Sequence, residues 1–182
     1  IPTSLGIRQI KDLVGKEFKV YSQKNKKDNF KVIQSEPTTA IISGKTDKLY
    51  NITLDDGSII KCTKYHKFRD RKGRYIEAAD LRIRDILMGM NYWDEKIITN
   101  IEIIQVPPTE VYDIVNVKPF ENFLIKTKSN SGYIVSHNCT MMDEISFKDR
   151  KELDYRKMKA YESFTAITRR MESRFMDKGA KP

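Results

Sequence analysis

His137, Asn138 and Cys139 place three reactive side chains across one peptide bond, at the end of the apolar run Gly132-Tyr133-Ile134-Val135-Ser136. The carboxamide of an asparagine can attack its own backbone carbonyl and cut the bond that follows. A neighbouring histidine can carry the protons, and a cysteine just beyond the cut can accept an acyl group. That is the chemistry of self-excision. The tripeptide alone also fits a loop with an incidental thiol, so the reading depends on what lies upstream.

Upstream, Thr63-Lys64-Tyr65-His66 forms a Thr-x-x-His element just after the strand and turn of Leu54-Asp55-Asp56-Gly57-Ser58-Ile59-Ile60-Lys61. Val111-Tyr112-Asp113-Ile114 then precedes Glu121-Asn122-Phe123-Leu124-Ile125. Taken in order, these resemble the later splicing blocks of an intein. Thr63 and His66 match the Thr-x-x-His block, Asp113 the penultimate block and His137-Asn138 the terminal block. The resemblance covers roughly residues 1–138 and implies an all-β, horseshoe-shaped hedgehog/intein fold that needs no cofactor. Residues 1–138 would be the splicing domain, and residues 139–182 the segment that follows it, the C-extein.

The resemblance also implies roles. Thr63 and His66 would face the upstream scissile amide, His66 polarising it or protonating its departing nitrogen. Asp113 would tune thiol protonation between the two junctions, Cys139 would take over the acyl group, and Asn138 would cyclise to a succinimide. A thiol with an unperturbed pKa of about 8.5 must lose its proton for that transfer. Glu121 stands where many inteins carry a histidine before Asn-Phe. An ionised carboxylate cannot donate a proton, so either His137 carries more of the transfer or burial raises the Glu121 pKa. Slow Asn138 cyclisation is the expectation. Cys62 reads as a small packing residue.

Ile1 to Leu13 fits a stretch that, in inteins, follows the first strand by several residues. The first strand and its Cys or Ser nucleophile are therefore expected to be absent, and Ser4 has the wrong context to replace them. They would have been removed, lost, or encoded on a separate piece as in split inteins. The expected partner is an N-terminal intein fragment or N-extein carrying that nucleophile, and the expected activity is trans-splicing by a mini-intein. The chain alone should at most cleave after Asn138.

Beyond Cys139 the texture changes. Thr140-Met141-Met142-Asp143-Glu144 resembles the Walker B strand of a P-loop ATPase, whose carboxylates hold magnesium and orient the attacking water. A capping-box-like start at Asp149-Arg150-Lys151-Glu152 and apolar residues at three- and four-residue steps predict a helix from Arg150 to Met176. With Lys159-Ala160-Tyr161-Glu162 and Arg169-Arg170-Met171-Glu172, the segment resembles the large terminase of a phage, a DNA-packaging motor. No Gly-x-x-x-x-Gly-Lys-[Ser/Thr] loop occurs in the chain, so ATP, magnesium and DNA would concern only the complete spliced host protein.

The net charge of +9 comes from 34 Lys and Arg against 25 Asp and Glu. Residues 1–138 contribute +6 and residues 139–182 the other +3, so the excess is spread rather than gathered into a phosphate clamp. Lys24-Asn25-Lys26-Lys27 and Arg69-Asp70-Arg71-Lys72-Gly73-Arg74 read as charged turns. A non-catalytic basic DNA-binding module is thus a secondary reading. A hedgehog-like autoprocessing domain is another, but it has no need of a terminal Asn followed by Cys. No stretch is long and apolar enough to span a bilayer and no secretory signal is present, so a place in the cytoplasm of a phage host is expected.

Short runs rich in β-branched and aromatic residues, broken by polar turns, predict strands at 18–22, 30–34, 39–43, 49–54, 58–63, 96–105 and 111–117. A single helical turn is expected from Glu77 to Leu81. It leads into Leu81-Arg82-Ile83-Arg84-Asp85-Ile86-Leu87, which resembles the Leu-x-x-Gly-Asp-x-Leu segment of inteins with Arg84 in the glycine position.

Overall fold

The computed structural model describes residues 1–24, 28–91 and 94–138. The Asn25–Lys27 part of the expected hairpin tip, Cys139, the Walker B-like Asp143 and Glu144, and the helix expected from Arg150 to Met176 all lie outside the described residues.

Thirteen strands make up the described chain. Two short pairs open it, β1 (Pro2–Thr3) with β2 (Gly6–Ile7), and β4 (Tyr21–Gln23) with β5 (Val32–Gln34); β3 (Glu17–Phe18) lies between. Then come β6 (Thr38–Leu54), β7 (Ile59–Cys62), β8 (Lys67–Arg69), β9 (Tyr75–Glu77), β10 (Ile86–Leu87), β11 (Lys96–Val115), β12 (Asn122–Lys126) and β13 (Tyr133–His137). One sheet runs β10-β11-β6-β3 with β7 added on β6, and another runs β12-β13-β8-β9. The all-β expectation is met. Among the described residues no helix is long and apolar enough to cross a membrane.

Local expectations fared unevenly. The runs 39–43 and 49–54 are one strand of 17 residues, because Gly44-Lys45-Thr46 does not turn but pairs with Val111, Glu110 and Thr109. Likewise 96–105 and 111–117 fuse into the 20 residues of β11, with Pro107 and Pro108 accommodated where the register shifts between Gln105 and Thr109. In place of a helical turn at Glu77–Leu81, β9 runs through Glu77 and one hydrogen-bonded turn follows, the Asp80 amide donating to the Glu77 carbonyl at 2.9 Å. A 3-10 turn at Ile10–Leu13 drops Leu13 into the core.

Three apolar clusters position the last two strands. Alternate residues of a strand face opposite sides. Ile134 joins Phe68, Ile52 and Leu87; Phe123 joins Val20, Ala40 and Ile114; Leu124 and Val135 join Phe30 and Met88. Each fully buried side chain of this size contributes roughly 2 kcal/mol. The strand that ends in His137 is therefore anchored from both faces.

Candidate functional site: the two histidines and Asn138

Antiparallel pairing explains how the distant motifs meet. Ser136 on β13 lies opposite Phe68 on β8, and His66 precedes Phe68 by two residues of extended chain. His66 and Phe68 thus share a face, their ring centroids 4.9 Å apart, and His66 becomes a diagonal cross-strand neighbour of Ser136. His66 Nε2 lies 2.6 Å from Ser136 Oγ. The next residue, His137, points the opposite way. There its ring stands edge-on to Tyr75 at 4.6 Å, and Tyr75 pairs across the strands with Arg69. The two histidines therefore occupy opposite faces of one sheet, separated by a single residue of β13.

On the His137 face a buried polar network stiffens the floor. Arg69, 4% exposed, packs its guanidinium against the rings of Phe30 and Tyr75, and Nη1 donates to Gln23 Oε1 at 3.2 Å and to the Lys24 carbonyl at 3.1 Å. Asn122, opposite His137, accepts the Gln23 amide at 2.8 Å and donates to the Gln23 and Phe120 carbonyls. Ser136, Tyr75 and Gln23 were not singled out from sequence, and Arg69, expected there to open a charged turn, is instead a buried residue of β8. The one signal for Ser136 was a hydroxyl within an otherwise apolar strand.

Asn138 is 1% exposed, and its amide donates to the Glu121 carbonyl at 3.0 Å. Its Oδ1 is buried with no hydrogen-bond partner among the described residues, which costs roughly 1–3 kcal/mol. Glu121 holds its end of that bond from a left-handed backbone, φ +48°, an uncommon state for a residue with a side chain. The burial considered for Glu121 from sequence is absent, and its side chain is exposed to solvent. What Glu121 brings to Asn138 is its backbone carbonyl.

Thr63 and His66 line a groove of about 630 Å³, with Ile59, Ile60, Phe123 and Ile125 among its apolar walls. Tyr112 also lines it, and Asp113 follows directly, 2% exposed, its Oδ1 accepting the Ile114 amide at 2.7 Å. Thr63 and His66 are thus brought together on the groove, while His137, Asn138 and the Glu121 backbone gather at the end of β13. Cys62 is 8% exposed, and burial pushes its thiol up to about 12. It is protonated at neutral pH and behaves as a packing group.

Burial, and after it the charge of His137, push His66 down to about 4. His66 is therefore neutral at pH 7. Its unfolded form takes up a proton near pH 6.5, whereas the folded form resists until about 4, so between those values the unfolded state binds more protons. The stabilisation is present above pH 6.5 and is lost as pH falls towards 4. After discounting for partial exposure it amounts to about 2 kcal/mol. Urea unfolding of His66→Gln at pH 7 and pH 4.5 should show a shallower loss than the unmodified chain; equal slopes would contradict this.

Solved structures with the same strand arrangement share little sequence with this chain. The crystal structure of the Ssp DnaB mini-intein variant M86 matches 76% of this chain and 88% of its own at 21% identity, with a TM-score of 0.59. A bacterial intein-like domain from Clostridium thermocellum matches 76% of this chain and 93% of its own at 20% identity and a TM-score of 0.58. The fold is the hedgehog/intein fold. A DnaB intein from Synechocystis sp. PCC 6803 extends the intein likeness, with 75% of this chain and 90% of its own matched at 23% identity and a TM-score of 0.55. No protein-family model matches the sequence, and no curated protein does. Within the intein fold, Arg84 takes the left-handed conformation, φ +76°, at the position where the resemblance expects glycine. The backbone there keeps the shape a glycine would favour despite the larger side chain.

Proposed function

We propose that residues 1–138 are a protein-splicing domain whose downstream step is cyclisation of Asn138. One observation carries this reading: Asn138 is buried at the end of β13, its amide fixed by Glu121 and its carboxamide oxygen without a partner among the described residues, one residue from a histidine held edge-on by Tyr75. Asn138 Nδ2 attacks the Asn138 carbonyl carbon, the C–N bond to Cys139 breaks, and the amine of Cys139 leaves with a proton. His137 is the group adjacent to that transfer. Glu121 serves the same step through its carbonyl, which holds the Asn138 amide, rather than as a proton donor.

The upstream step belongs to the groove. A thiol or hydroxyl supplied on an N-terminal intein fragment attacks the amide before it, Thr63 and His66 face that amide, and Asp113 lies between this step and transfer to Cys139. Trans-splicing of this kind joins the supplied segment to residues 139–182, which we read, on sequence likeness alone, as part of a phage large terminase with Asp143 and Glu144 as its Walker B carboxylates. The reaction would then take place in the cytoplasm of the phage's host.

Intact mass of the chain over time, at neutral pH with a reductant, tests the downstream step. The expected products are a fragment beginning at Cys139 and a partner ending in a succinimide, one water lighter than the free acid. A chain that stays whole, alone and with N-terminal intein peptides, would defeat the reading.

A further inference from the structure

The hydroxyl of Ser136 has one proton to give and two neighbours to receive it. His66 Nε2 is 2.6 Å away and the His137 carbonyl oxygen 3.5 Å away. An O–H donor commonly makes bonds of about 2.5–3.0 Å, whereas an N–H donor prefers about 2.9–3.0 Å and a contact of 3.5 Å is weak. The short contact therefore suits Ser136 Oγ–H donating to the lone pair of Nε2 better than an imidazole N–H donating to the hydroxyl. Ser136 is fully buried, on a strand anchored from both faces, so no water competes for that proton.

We propose that Ser136 is a positioning residue that sets the tautomer of His66, holding Nε2 bare and the single imidazole proton on Nδ1. A neutral histidine has one donor and one acceptor nitrogen, and the partner of one decides the other. His66 is neutral here, so it can donate from only one place. With Nε2 occupied by Ser136, Nδ1–H is the donor left for a group outside the Ser136 contact. The functional weight of that donor rests on the splicing reading, in which His66 serves the upstream scissile amide; the tautomer itself does not. Because β13 also carries His137 and leads directly into Asn138, the same strand that presents the downstream junction sets the proton of the upstream one. Neither Thr-x-x-His nor His-Asn-Cys, taken as a motif, contains this link.

Two histidines in the whole chain make the test direct. The chain labelled with ¹⁵N-histidine is recorded by long-range ¹H–¹⁵N correlation near pH 7, with His137→Gln assigning the signals. His66 is expected to show a protonated Nδ1 and an unprotonated Nε2. In Ser136→Ala the proton should move to Nε2 or distribute over both nitrogens, with the thermal transition and dispersed amide spectrum confirming that the variant is folded. Ser136→Cys, which keeps a weaker donor of similar size, should restore part of the Nδ1–H population. Nε2–H in the unmodified chain, or a folded Ser136→Ala with an unchanged tautomer, overturns the proposal.

A parallel measurement separates it from the splicing reading. With an N-terminal intein peptide present, Ser136→Ala should slow the upstream acyl shift at least about 10-fold while changing cleavage after Asn138 by less than about 3-fold, a misplaced proton donor being felt only at the step it serves. If neither protein reacts but the tautomer changes as expected, splicing fails and the role of Ser136 in setting the tautomer survives. If both react alike, Ser136 has no part in the upstream step.

Discussion

Asn138→Ala should leave the chain whole indefinitely under conditions where the unmodified chain releases residues 139–182. The expected loss is on the order of 1000-fold or more, because no other side chain is placed to attack that carbonyl from within its own residue. An amide nitrogen is a poor nucleophile and an amide carbonyl a poor electrophile, so geometry must supply most of the rate. Near-attack placement contributes roughly 7–11 kcal/mol in favourable cases. In the splicing reading, burial of Asn138 and the bond from its amide to the Glu121 carbonyl are what hold the residue for that attack. His137→Ala should slow the same cleavage by about 100-fold, the lower end of what positioned proton transfer contributes. Fragment release measured by mass spectrometry decides both. Equal release from Asn138→Ala and the unmodified chain would mean that ordinary proteolysis makes the cut.

Gly89→Ala should prevent folding. A methyl group at that position would overlap the carbonyl oxygen and carbonyl carbon of Asp94, both of them backbone atoms that no rotamer change can move aside. Gly89 follows Met88, which is fully buried, and its carbonyl accepts the Gln23 side-chain amide at 2.9 Å. Relief of the clash would therefore disrupt both the third apolar cluster and the Gln23–Arg69–Asn122 network beneath His137. A loss above about 4 kcal/mol, enough to unfold a marginal domain, is expected. Gly132→Ala offers a graded comparison, since its methyl would meet the Ser129 and Thr127 hydroxyls, ends of side chains that can rotate. Gly44→Ala meets nothing and should be neutral. Circular dichroism melts of the three variants should rank in that order, and a Gly89→Ala protein melting like the unmodified chain would refute the packing argument.

Legibility in the sequence depended on whether a feature was local. Thr63, His66, His137 and Asn138 stood out as candidates because each motif is a few adjacent residues with a chemical signature. Strand chemistry was equally local, so the all-β class followed from β-branched runs and turn dipeptides. What escaped notice depends on pairing across the chain. Gly44-Lys45-Thr46 carries turn residues, yet it is paired strand because Thr109, Glu110 and Val111 lie opposite it. Ser136 gains its significance only from standing across from Phe68, 68 residues earlier in sequence, and Tyr75 only from reaching His137. Glu121 was read through its side chain, whereas the part of it that touches Asn138 is its carbonyl, presented by a left-handed φ that nothing in its chemistry announces.

The long ladder between β6 and β11 has a kinetic consequence. Its register joins Thr39 to Val115 at one end and Leu54 to Ile98 at the other, so nearly the whole of residues 55–95 is a loop that must close before the pairing is complete. Non-local closure of that kind is entropically slow and places the domain among the slower-folding topologies. Thr63 and His66 ride on the closing loop, and β13 adds its end only after β8 and β12 are available to pair with it. A newly made chain consequently carries Thr63, His66 and Asn138 apart from one another for the time that folding takes. In the splicing reading, assembly of the ladder is the delay that keeps the chain uncut until the domain around Asn138 has formed.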